Sequence, residues 1–355
     1  MKIIPITILF ACAIVFLQGC IDNENATPID ETLNAEILSV FSENVAKASY
    51  DDLKSKSDQL YTNILSLDAS RTSENLIACR TSWKASREAW EQTESFLFGP
   101  VSTENIDPRI DTWPVNFEDL QSQLNSGNEF TEAYINNLED ALKGFHPIEY
   151  LIFGQDGNKD AANLTDRDLE YLKALGLNLK NLTAQVSTKW DATTPDNYHT
   201  VFTTAGQGSA EYETQLAAFE ELVNAMAGIC DEVANGKIEE VYLAQDPTLE
   251  ESPFAKNSIT DFTNNIKGVQ NVYLAKYSTD GKGLEDLVRK HNLSLDGEIK
   301  TNINTAIAAL NTISVPFGDA ITSQPLQVQN AIDAINALKS TLEEKLLPFV
   351  QQHSK

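Results

Sequence analysis

Apolar residues in this chain return at every third or fourth position over long stretches and almost never at alternate positions. That period lays them along one face of an α-helix, whereas a half-buried strand needs a period of two. Residues 73–98 show it most clearly. Thr72 or Ser73 can cap the start, Leu76, Cys79, Trp83, Trp90 and Leu97 follow at helical spacings, and Gly99-Pro100 stops the run. A second helix opens at Thr165, with Asp168 completing a variant of the capping box. Leu169, Leu172, Leu175, Leu179, Leu182 and Val186 then share one face. Residues 216–233, 259–273, 295–313 and 331–350 repeat the pattern. The periodicity predicts an all-α protein of two packed helical-bundle domains. The length of 355 residues fits two units, and 42% apolar content supplies real cores.

Two segments interrupt the helices. Residues 99–128 hold Gly99-Pro100, Asp107-Pro108, Trp113-Pro114 and Ser126-Gly127, a long connection of the kind that carries function. Residues 191–210, rich in Thr, Gly and Pro, mark a boundary between an N-terminal bundle over 35–200 and a C-terminal bundle over 201–355.

The N-terminus sets the expected compartment. Met1-Lys2 precedes an apolar run over 3–17 that is too short to span a bilayer comfortably, and the run ends at Leu17-Gln18-Gly19-Cys20. This looks like a bacterial lipoprotein signal over residues 1–19, with Cys20 as the lipidated new N-terminus and residues 20–34 as a polar, acidic tether. The expected location is the cell envelope, lipid-anchored at the outer membrane on its periplasmic side or at the cell surface. Cys79 and Cys230 are the cysteines of the folded body. They read either as one disulfide or as two separate buried thiols.

With 26 Lys+Arg against 52 Asp+Glu, the net charge is −26. Such a field repels phosphate backbones, so nucleic acid is excluded as a partner. The same field gathers cations.

Of four histidines, His199, His291 and His353 sit in loop-like or tail surroundings, and His146 stands apart. It lies in Gly144-Phe145-His146-Pro147-Ile148-Glu149-Tyr150, where Pro147 suits the first turn of a short helix. His146 and Glu149 are then three residues apart on one face. An imidazole and a carboxylate in apolar surroundings suit a metal ion, although a capped helix with a hydrogen-bonded Glu149 would leave the same spacing. A second stripe carries Trp83, Arg87, Trp90 and Glu94 on one helix. Either Glu94 is a further oxygen ligand oriented by Arg87 beside a Trp90 wall, or a buried Arg–Glu pair links helices. His-Glu-x-x-His, Gly-x-Ser-x-Gly and the phosphate-loop pattern are all missing.

These residues resemble the imelysin family, also classed as M75 peptidases. Its Gly-x-His-x-x-Glu hallmark is matched by Gly144, His146 and Glu149. The run from Ala89 to Pro100 is similar to the family's first-domain helix. The run from Asp246 to Phe254, continuing into Asp261-Phe262 and on through Tyr273, is a third match. The resemblance implies two helical bundles with a site in the cleft between them and a link to iron acquisition in the envelope. The resemblance places His146 and Glu149 at that site as metal ligands; the position of the matching segments adds Glu94 as a third expected ligand, with Arg87, Trp90, Glu250 and Ser252 supporting them. The expected cargo is a metal ion, iron first, with zinc or copper also suited to the donors. The expected partners are the membrane, through the lipid anchor, and iron-transport proteins. The alternatives are a metallopeptidase, an activity carried by the family's label although the chain lacks a complete zinc-peptidase motif, and a non-catalytic surface binding module.

Overall fold

The computed structural model describes residues 29–354, so the expected signal run and Cys20 lie outside the described residues. Helices, joined by turns and short loops, make up the described residues, and no strand occurs among them. The expected all-α class holds.

One group of helices packs Ala48–Ala69 along both Ser73–Thr93 and Asp166–Lys189, with Phe145–Phe153 laid against the last two. The leucine face expected of the Asp166–Lys189 helix is buried from Leu169 to Val186. Thr165 accepts from the Asp168 amide while the Asp168 carboxylate accepts from the Thr165 amide, satisfying two otherwise orphaned donors. A cap of this kind contributes ~1 kcal/mol. Thr72 caps the Ser73–Thr93 helix by accepting from the Asn75 amide.

A second group is built from Gln215–Asp231, Ser258–Leu274, Leu293–Leu310 and Pro325–Thr341. The two groups meet where Ser258–Leu274 crosses Ser73–Thr93. Gly268 makes the crossing close, since a Cβ there would stand 2.5 Å from the Gln92 carbonyl oxygen and 2.7 Å from Ser95 Oγ. Buried polar residues of both helices meet beside this crossing, where Asn265 Nδ2 donates to Glu91 Oε2 at 2.7 Å.

Some boundaries differ from the sequence reading. The first described helix runs Glu31–Val40, capped by Asp30, so the end of the expected tether is already helical. Residue 200 falls inside the Tyr198–Thr203 helix. Phe202 of that helix packs against Phe41, Phe98 and Trp190, so the chain does not leave the first aromatic cluster until after Thr203. Cys79 and Cys230 are separate, buried thiols. The irregular stretch after Gly99 contains short helices at Pro100–Thr103, Asp107–Asp111 and Phe117–Asn125. The helical path from Gln215 onward continues through a π-helical turn, Glu232–Glu239, of the kind often found at functional sites.

Candidate metal centre

The site forms where Phe145–Phe153, Ser73–Thr93, Asp107–Asp111, Ser258–Leu274 and the 247–257 connection converge. Gly144 opens the Phe145–Phe153 helix at φ +81°, and Gly154 ends it at φ +73°. Both are left-handed conformations that favour glycine. His146 and Pro147 occupy the first turn, and His146 and Glu149 are fully buried. Trp83 Nε1 donates to the Phe145 carbonyl at 3.0 Å, which ties this short helix to the longer one behind it.

His146 Nδ1 lies 3.3 Å from Glu149 Oε2, and Glu149 Oε1 accepts from the Ala255 amide at 2.7 Å. Both carboxylate oxygens of Glu149 are engaged, which places it to orient the imidazole through Nδ1. The other ring nitrogen points inward. His146 Nε2 faces Asp111 Oδ1 at 3.1 Å and Glu251 Oε1 at 3.8 Å, with no well-aligned hydrogen bond to either. Ligand atoms of Asp111, His146 and Glu251 lie within 4.8 Å of one another. Glu91, Glu94 and Asp111 form a second such group, so Asp111 is common to both.

Arg87 is the hub of the cluster. It is 0% exposed and pairs with Glu91, Asp111, Glu251 and Asp261. Trp90 Nε1 donates to Asp111 Oδ2 at 2.6 Å. The Asp107–Asp111 helix is too short to stand alone and is fixed by these two side chains. Asp261 accepts from Ser252 Oγ at 2.6 Å and from Asn257 Nδ2 at 2.7 Å.

Glu94 lies to one side. Its Oε2 accepts from Asn265 Nδ2 at 2.6 Å and pairs with Lys237 Nζ at 3.1 Å. The spacing on the helix suggested Arg87 as the orienter of Glu94, but Arg87 turns to the other acids and Lys237 takes that place.

Six acids, Glu91, Glu94, Asp111, Glu149, Glu251 and Asp261, share this buried region. Their counter-charges are Arg87, Lys237 and His146 when protonated, three cations at most. Burial sets how the surplus is handled. It drives Glu94 up to about 8 against the pull of Lys237. It also raises Glu91, Glu149 and Asp261 despite their cationic neighbours. Burial works against ionisation of Asp111 too, yet Arg87 and the adjacent His146 hold it below the usual carboxylate range. Lys237 and Arg87 likewise outweigh burial at Glu251 and lower it. His146 would be lowered by burial, but Asp111 and Glu149 hold it up at about 9. Ionisation is thus favoured most at Asp111 and Glu251.

That side opens on a cleft of about 450 Å³ bordered by Glu94, Asp107, Asp111, Glu232, Lys237 and Glu251. Glu250, expected to support the site, turns the other way. It accepts from Ser258 Oγ at 2.7 Å and borders a separate cleft with Phe117, Tyr150 and Phe254. Its neighbour Glu251 faces His146 instead. Of the expected ligands, then, His146 and Glu149 touch each other and Glu94 comes near Asp111, while Asp111 and Glu251, not among those expected, face Nε2.

The all-α fold and the buried turn carrying Gly144, His146 and Glu149 agree with the resemblance to the imelysins. The chain belongs to that family, whose profile matches residues 46–344. It is 31% identical over 317 residues to iron-regulated protein A of Synechococcus elongatus, covering 88% of this chain and 85% of that one. Among solved structures it superposes on a putative iron-regulated protein A precursor from Parabacteroides distasonis. The TM-score is 0.83 and the identity 24%, over 93% of this chain and 97% of that one. An imelysin-like protein from Psychrobacter arcticum gives a TM-score of 0.76 at 15% identity, over 92% and 98% of the two chains.

Proposed function

We propose that this chain is an envelope lipoprotein that binds a transition-metal cation, iron foremost, and holds it for acquisition or hand-over. Asp111, His146 and Glu251 would be the donors closest to the ion, and Glu149 would fix the imidazole. One nitrogen and two carboxylates are a donor set that accepts iron and would also take zinc or copper. The observation that carries the reading is the combination of an inward Nε2 lacking an aligned partner with a surplus of buried acids beside the cleft. Buried acids outnumber the cations beside them, and ionising the excess is costly unless a further cation accompanies it. Arg87 now occupies oxygens of both Asp111 and Glu251, so the ion would share these carboxylates with the guanidinium. The name of the Synechococcus relative, an iron-regulated protein, agrees with iron as cargo. The lipid on Cys20 would keep the body at the membrane, within reach of an iron-transport partner. Among the described residues no helix is long and apolar enough to cross a membrane.

Calorimetric titration with zinc, and with ferrous iron under anaerobic conditions, tests the reading. Wild-type protein is expected to saturate, and His146→Ala to lose more than about tenfold in affinity. No binding by the wild type, or equal binding by the variant, rejects it.

A further inference from the structure

Lys237 is the one cation of the cluster that borders the cleft. Its Nζ is 3.1 Å from Glu94 Oε2 and 3.5 Å from both Glu232 Oε1 and Glu251 Oε1. The side chain is 12% exposed, against 0% for Arg87, so it stands between the buried acids and solvent. Glu251 Oε1 is the same atom that faces His146 Nε2 at 3.8 Å. An ammonium on that oxygen lies in the field any metal ion shared with His146 must enter, and like charges at such range repel strongly away from water. Arg87 Nη2 is on the same oxygen at 2.9 Å and would stay there beside the metal ion, because four acids grip it in a fully buried position. Lys237 can step aside. Its charge is a compact ammonium on a flexible stem, it adjoins open space, and it rides on the π-helical turn Glu232–Glu239.

We infer that Lys237 is a tethered counter-ion that occupies the cation position of the metal-free protein and swings into the cleft when a metal ion takes Glu251. The inference rests on the metal-binding reading above. It adds that binding is an exchange, one ammonium leaving the carboxylates as one metal ion arrives. The exchange sets the affinity of the site and disfavours monovalent ions, whose charge does no more than replace the ammonium.

Titration of Lys237→Met, Lys237→Gln and Lys237→Arg with zinc and anaerobic ferrous iron, beside the wild type, tests this. The Met and Gln variants are expected to bind at least about tenfold more tightly, and the Arg variant to stay near the wild type. In parallel melts, the metal-free Met and Gln variants should unfold at a lower temperature than the wild type and gain more from added metal. A neutral variant that folds only with metal present would support the exchange in the same way. Equal or weaker binding by folded Met and Gln variants, with the wild type still binding, overturns the role of Lys237 and leaves the metal reading intact. If neither wild type nor variants bind, both fall together.

Discussion

Replacing Gly144 by alanine should disable the site from a position that contributes no side chain to it. Gly144 has φ +81° and ψ −155°, a region essentially confined to glycine. A Cβ at this point would overlap the Ile110 carbonyl oxygen, lie 2.6 Å from its carbon and 3.0 Å from the Arg109 oxygen. Carbon atoms rest at about 3.5–4.0 Å, so the Asp107–Asp111 helix must retreat by about 1 Å, carrying Asp111 away from His146. Backbone strain of about 1–3 kcal/mol joins overpacking of about 1–3 kcal/mol. The expected loss is therefore about 2–6 kcal/mol, a large share of a typical total of about 5–15 kcal/mol. Urea denaturation with a calorimetric melt measures it, and Gly127→Ala is the control, since nothing lies within 4 Å of a Cβ there. Gly144→Ala within about 0.5 kcal/mol of the wild type would refute the argument that this close contact positions Asp111.

Arg87→Met leaves Glu91, Asp111, Glu251 and Asp261 facing one another without their shared cation. About 3–5 kcal/mol of stability should be lost in urea titrations, with Arg87→Lys intermediate. The metal-free protein should also lose stability as pH rises from about 5 to 8. Glu94, near 4.5 when unfolded and about 8 in the fold, keeps its proton longer in the native state. The native state therefore binds more protons than the unfolded state across that window, and the contribution present at low pH disappears as pH climbs. Melts across this range should show the decline in the wild type and a shallower one in Glu94→Gln.

Helices and their faces were legible because burial writes a period of 3.6 into the chain. The leucine face of Asp166–Lys189, the Thr165–Asp168 cap and the helix between Gly144 and Gly154 all follow from local rules. The His146–Glu149 pairing was legible for the same reason, being a contact within one turn. The rest of the site is not local. Asp111 lies in an irregular stretch and reaches His146 only because Gly144 lets Ile110 approach. Glu250 and Glu251 are adjacent in sequence yet open on different clefts, and only the path of the 247–257 connection decides which one meets His146. Lys237 projects from a π-helical turn, where ordinary helical spacing misassigns the face. Glu91 carried a usable signal, since it follows Arg87 by one helical turn and forms an ion pair with it. Asp261 lies within a stretch that resembles the family, and its link to Arg87 depends on the helix crossing at Gly268.

The most direct test of the account is anomalous diffraction at the iron edge from crystals soaked anaerobically in ferrous iron. A single strong peak within coordination distance of His146 Nε2, Asp111 and Glu251 is expected, absent from His146→Ala crystals. A peak elsewhere on the molecule, or none at an iron concentration that saturates binding in solution, would contradict the assignment of this buried cluster as the metal centre.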